Sequence, residues 1–246
     1  MIEADKWAPF EAWFLGRVRA RLRAGFTSLK VRGAEHVREA AGRGPQLWVG
    51  NHTSWWDPLI IFYLSRGFFD LDGHAMMDAS NLRKLPFFSR IGAFGVDLGD
   101  PADGARALRY AARLLRGGGP RRMVAVFPQG SERPVTERPL GFRPGSAELA
   151  RLAPAAGVLP FALRYEMQAE EKPNAYVAFG APLGPERSVA AARAAQEAAV
   201  ARLLDELDGA LCAGELSGYT PLFVSRPALA PLATEALAWA FRPRKG

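Results

Sequence analysis

Short apolar runs that end abruptly in polar turns constrain the fold of this chain most. Leu47-Trp48-Val49 breaks into Gly50-Asn51-His52, and Met123-Val124-Ala125-Val126-Phe127 breaks into Pro128-Gln129-Gly130. Each run reads as a strand that delivers polar groups at its carboxyl end. Further strands are expected at 28–32, 93–98, 158–164 and 175–180. The spacing predicts helices over 57–65, where Pro58 suits a first turn, and over 102–116, ended by Gly117-Gly118-Gly119. Helices are also expected over 145–152 and over the Ala-rich stretch 188–212, with a short helix or turn at 81–90. Strands alternating with helices indicate an α/β fold, a mixed but mostly parallel sheet wrapped by helices. In open sheets of this kind ligands settle beyond the carboxyl ends of the strands, so the turns at His52 and Gly130 can face one cleft.

With 246 residues, 49% of them apolar, the chain can bury a core as one domain. Its 32 Lys and Arg against 25 Asp and Glu leave a net charge of +7 and a pI near 10.0. That balance favours anionic partners such as phospholipid head groups or coenzyme phosphates. Nucleic acid is not expected as a partner, because no recognised binding motif accompanies the charge. The single cysteine, Cys212, excludes an internal disulfide, and no Cys/His spacing suits zinc, so no metal is expected. No stretch reaches the roughly 20 apolar residues that span a bilayer, and the acidic opening MIEADKWAPFEAWF is unlike a signal peptide. The chain is therefore expected to be neither secreted nor integral to a membrane.

Residues 5–24 combine Trp7, Phe10, Trp13, Phe14, Leu15, Val18 and Leu22 with Arg17, Arg19, Arg21 and Arg23. At helical spacing this sets aromatics beside a cationic flank. Such a helix either lies in a membrane interface or packs as an ordinary helix on the domain. The tail after Tyr219, where Trp239 stands near Arg242, Arg244 and Lys245, reads equally as a membrane-touching element or a frayed terminus.

The first turn also carries chemistry. His52 and Asp57 lie five positions apart, and an imidazole takes a proton from a hydroxyl when a carboxylate fixes its tautomer and stabilises the imidazolium that forms. No serine or cysteine nucleophile is required, since a substrate hydroxyl can itself attack. The plainer alternative is that His52 ends a strand and Asp57 starts a helix. No G-x-S-x-G elbow follows a strand, which disfavours a lipase-type hydrolase. His36 and His74 have no carboxylate at the same spacing.

Asn51-His52, four residues, then Asp57-Pro58, with Phe127-Pro128-Gln129-Gly130-Ser131 placed 75 positions after His52, resembles the glycerolipid acyltransferases typified by 1-acyl-glycerol-3-phosphate acyltransferase. In that family the corresponding blocks read NHxxxxD and FPEGTR. Two weaker blocks fall in the same order, Ile91-Gly92-Ala93-Phe94-Gly95-Val96-Asp97 and Gly157-Val158-Leu159-Pro160-Phe161-Ala162. The similarity runs from about residue 27 to about residue 185, within a single acyltransferase domain expected over 27–246. Residues 1–26 are expected to form an amphipathic membrane-interface helix.

The resemblance implies a peripheral enzyme of phospholipid biosynthesis on the cytoplasmic face of the cell membrane. It implies transfer of a fatty acyl group from acyl-CoA or acyl-carrier protein, a co-substrate rather than a cofactor, to the hydroxyl of a lysophospholipid acceptor such as 1-acyl-glycerol-3-phosphate. His52 and Asp57 are then the catalytic pair, and Gln129, Gly130, Ser131 and Arg133 bind substrate. Arg143, in a stretch similar to the family's Phe-Lys-x-Gly-Ala, is a further candidate for anion contact. Three departures bear on the acceptor. Gln129 replaces the family's Glu, an additional Glu132 moves the arginine to Arg133, and Asp97 is followed by Leu98 where relatives often have Arg. They motivate two alternatives: an acyltransferase for a lipid acceptor without phosphate, such as a glycolipid or hydroxylated lipid, or a non-catalytic membrane-surface binding protein.

Overall fold

Leu47 and Val49 point to one side of the central sheet and Trp48 to the other, and all three are fully buried. Their strand carries helices on both faces, which is why it reads as an unbroken apolar run rather than an alternating one. The computed structural model describes residues 1–225. Its strands are β1 (Ser28–Arg32), β2 (Gln46–Gly50), β3 (Asp72–Asp78), β4 (Ala93–Val96), β5 (Arg122–Val126), β6 (Gly157–Glu166), β7 (Asn174–Phe179) and β8 (Thr220–Val224). They form one sheet in the order β4-β3-β5-β2-β6-β7-β1-β8. Only β6 with β7 and β1 with β8 pair antiparallel; the other neighbours are parallel. This is the expected α/β architecture.

The helices are α1 (Ala8–Gly25), α2 (Ala34–Arg43), α3 (Asp57–Phe62), α4 (Ala79–Lys84), α5 (Pro101–Gly117), α6 (Gly145–Leu152) and α7 (Val189–Ala213). One layer buries Leu115 of α5, Leu149 of α6 and Leu204 of α7 against Leu47, Val49 and Val124. The other buries Val18 and Leu22 of α1, Val37 of α2 and Ile60 of α3 against Trp48, Met123 and Phe161. At about 25 cal/mol per Å² of apolar surface, these two layers are the main favourable contribution to folding.

Several elements differ from the sequence expectation. Helix α3 ends at Phe62 and continues as a π-helical turn over Tyr63–Phe68, and the strand expected at 93–98 stops at Val96. Strands β3 and β8 and helix α2 were not anticipated. Strand β3 begins Asp72-Gly73-His74, polar residues that give no strand signal, yet Lys6 bonds Asp72 at 2.7 Å and Arg122 bonds His74 at 2.8 Å. Of the tail, Thr220–Val224 is the edge strand β8, while Trp239, Arg242, Arg244 and Lys245 lie outside the described residues. Helix α1 is docked through Val18 and Leu22, and Phe14 packs edge-on against Phe62 of α3. Its Trp7 and Trp13 remain more than half exposed. Among the described residues no helix is long and apolar enough to cross a membrane.

Candidate active site

Because β2 and β5 are parallel neighbours, the turns that follow them leave the sheet side by side. Asn51 fixes the first. Its side-chain amide exchanges two hydrogen bonds with the Leu163 backbone, at 2.8 and 2.9 Å, and so extends the β2–β6 ladder one step beyond Gly50. The next residue, His52, is tied to the second turn through its main chain. Its N–H donates to Gln129 Oε1 at 2.6 Å, and its carbonyl accepts from the Arg133 N–H at 2.9 Å.

The imidazole is held on two sides. Nδ1 lies 2.7 Å from Oδ2 of Asp57, a fully buried residue at the start of α3. The same oxygen accepts the Thr53 and Ser54 N–H groups at 2.7 and 2.9 Å, and Oδ1 accepts the Tyr165 hydroxyl. A carboxylate that only accepts requires Nδ1 to be the donor, which leaves the Nε2 lone pair free. Across the ring face, Phe127 stacks on His52 with centroids 4.5 Å apart at 25°. Phe127 in turn meets the Phe161 ring edge-on at 5.8 Å. Phe161 lies over Gly50, where a β-carbon would stand 2.2 Å from the ring, so only glycine fits there.

His52 opens on a cavity of about 480 Å³ whose wall includes Leu59, Phe62, Met77, Phe88, Ile91 and Met123. The cavity also reaches Gly73, which is level in the sheet with Met123 and Gln46, six residues before His52. From Gln46 to Gly50 the strand rises about 13 Å at about 3.3 Å per residue, and His52 lies beyond its end. At the Gly73 level the wall becomes polar, with Ser65 and the buried Glu11, which pairs with Arg66 at 3.5 Å and Lys6 at 2.8 Å.

The structure brings His52, Asp57, Gln129, Gly130 and Ser131 together, but with distinct tasks. Gln129 is buried and spends its oxygen on the His52 main chain, acting as a strut between the turns. Gly130 adopts φ +75°, the left-handed region that favours glycine. Its N–H is taken by Phe127 O at 3.0 Å, and Arg143 packs so closely that a β-carbon would stand 3.1 Å from the guanidinium. Ser131 lines the cavity. Arg133 directs its guanidinium to Glu137 at 2.6 Å. Arg122 is not part of the site, since it stands at the opposite end of β5 and pairs with Asp72 at 3.0 Å.

Comparison with known proteins fits this geometry. A family model described as Acyltransferase matches residues 28–164, more than half of the chain, and spans both turns. The chain belongs to the Acyltransferase family. A solved structure, the 1-acyl-sn-glycerophosphate (LPA) acyltransferase PlsC from Thermotoga maritima, superposes with a TM-score of 0.59 at 22% identity, covering 80% of this chain and 81% of that one. At that identity the likeness is one of fold, and it includes the mostly parallel sheet. A search of curated proteins finds no significant match. For an acyltransferase, Tyr165 is the residue that sequence reasoning missed. It lies 108 positions from Asp57, on β6, and no local pattern links the two.

Proposed function

We propose that the protein transfers a fatty acyl group from an acyl thioester, acyl-CoA or acyl-carrier protein, to the hydroxyl of a lipid acceptor at a membrane surface. The observation that carries this reading is the His52–Asp57 pair at the mouth of a long apolar cavity. The cavity suits an extended acyl chain, with its thioester carbonyl beside Nε2. His52 Nε2 takes the acceptor hydroxyl proton as the oxygen bonds to the carbonyl carbon. The carbon–sulfur bond then breaks, and the proton passes from the imidazolium to the departing thiolate. Asp57 holds the ring and stabilises its charged form. The Gly130 N–H is already bonded, so we assign the next amide of the turn, at Ser131, to the developing oxyanion. To Arg143, which packs on Gly130, we assign contact with the donor phosphates outside the cavity.

We take the protein to be peripheral on the cytoplasmic face of the membrane, with Trp13 and Trp55, 59% and 56% exposed, entering an anionic surface. A lysophospholipid such as 1-acyl-glycerol-3-phosphate is the acceptor that family resemblance favours.

The test is thioester consumption with palmitoyl-CoA and acyl-carrier-protein donors across lysophospholipid, glycolipid and hydroxylated-lipid acceptors, for the native protein and His52→Ala. Turnover that requires both His52 and an acceptor is expected, with the variant down by about 10²–10⁴. No turnover by folded, vesicle-bound protein would leave the binding-protein reading in its place.

A further inference from the structure

Nε2 of His52, the nitrogen that receives the acceptor proton, does not open onto bare solvent. Glu132 Oε1 stands 3.6 Å from it. Among the described residues, Glu132 is also the one that the large cavity shares with a second cleft, of about 390 Å³, lined otherwise by Thr53, Arg133, Pro134, Val135 and Tyr165. Glu132 thus stands between the two spaces, with His52 lining the first. The apolar-walled one suits the acyl chain, and an acceptor entering from the second would pass the Glu132 carboxylate before it reached Nε2.

The charges along this route are unfavourable to an anion. Arg133 is the cation lining the second cleft, and its guanidinium is occupied by Glu137 at 2.6 Å. Leu98, where relatives often have Arg, lines the cavity with an apolar side chain. Arg143 packs on Gly130 and lines neither space. A phosphate beside the reacting hydroxyl would therefore approach an added carboxylate with the Arg133 guanidinium already paired, whereas an ammonium there would be attracted. Resting on the acyltransfer reading above, we propose that Glu132 determines acceptor specificity, and that the acceptor is a hydroxylated lipid carrying an amine, not a phosphate, next to its reacting hydroxyl.

The experiment compares kcat/KM for three acceptors with one acyl-thioester donor: 1-acyl-glycerol-3-phosphate, an uncharged monoacylglycerol, and a long-chain amino alcohol with a tertiary amine, so that only its hydroxyl accepts. Glu132 is more than half exposed, so water screens its charge, and a moderate effect is expected. The native protein should favour the amine over the phosphate acceptor about tenfold, equivalent to about 1.4 kcal/mol. Glu132→Gln should erase that preference and Glu132→Lys should reverse it, with the uncharged acceptor as the common reference, since a merely structural role would lower all three acceptors in the same proportion and leave the ratios unmoved. A native preference for the phosphate acceptor, or a ratio that neither variant moves, overturns the proposal. Folded native protein inactive on all three overturns the acyltransfer reading itself, a separate result.

Discussion

The Tyr165 hydroxyl donates to Oδ1 of Asp57, the oxygen that His52 does not use. Burial, and then the Asp57 charge, hold the phenol pKa well above its ordinary value, so it stays a donor throughout the working pH range. Its ring stacks on Phe26, just beyond the end of α1, at 5.6 Å. A segment that looks peripheral in sequence thereby supports the carboxylate.

Tyr165→Phe keeps that stacking and removes only the donor. Leaving a buried carboxylate oxygen without its protein partner is expected to cost about 1–3 kcal/mol of stability. Activity should fall about tenfold as Asp57 loses its fixed orientation. Chemical denaturation and steady-state kinetics on the same variant check both numbers.

Asn51→Leu keeps the branched outline of the side chain but strips two hydrogen bonds from the Leu163 backbone, at a residue 1% exposed. The expected loss is about 2–5 kcal/mol, because a donor and an acceptor of β6 are left buried and unpaired. A urea titration reads the stability, and a circular dichroism spectrum close to native would show that the fold persists.

His74 makes stability depend on pH. Burial, with Lys6 and Arg122 nearby and Asp72 only partly opposing them, lowers its pKa from 6.5 to about 4. Its Nε2 accepts from Arg122 at 2.8 Å, which requires the neutral ring. The unfolded chain therefore binds the proton more readily than the folded one. The contribution is fully present above pH 6.5, and stability drains away as the pH falls from 6.5 towards 4, on the order of 3 kcal/mol in all. His74→Gln should flatten that stretch of the stability–pH curve, measured by thermal melts at a series of pH values.

The membrane assignment predicts that Trp13→Ser with Trp55→Ser weakens sedimentation with anionic vesicles while leaving the melting temperature nearly unchanged, since both rings are mostly exposed. At about 1 kcal/mol for each half-exposed ring, the double variant should bind about thirtyfold more weakly. Equal sedimentation of the two proteins would remove these tryptophans from the interface.

How much of this was legible in the sequence depends on the range of the interaction. Strands β2 and β5 announced themselves because both of their faces are buried, and the His52–Asp57 pair because its two members lie five positions apart. Strand β3 stayed hidden because Asp72 and His74 are satisfied by Lys6 and Arg122, partners from far along the chain. The same holds for Tyr165. Gln129 and Arg133 were expected at the substrate, and residue type alone could not tell that one braces the His52 main chain and the other faces Glu137.

The contact of Phe161 with Gly50 has a consequence for how such a site can diversify. The imidazole is aimed by polar bonds on one side and, on the other, by a column of rings from Phe127 to Phe161 that rests on a position with no side chain. A single methyl group at residue 50 would tilt that column and misalign the imidazole without touching any ionisable group. The side chains of Ser131 and Glu132 lie outside the column, so exchanges there can alter what meets the site while the aim of the imidazole is kept.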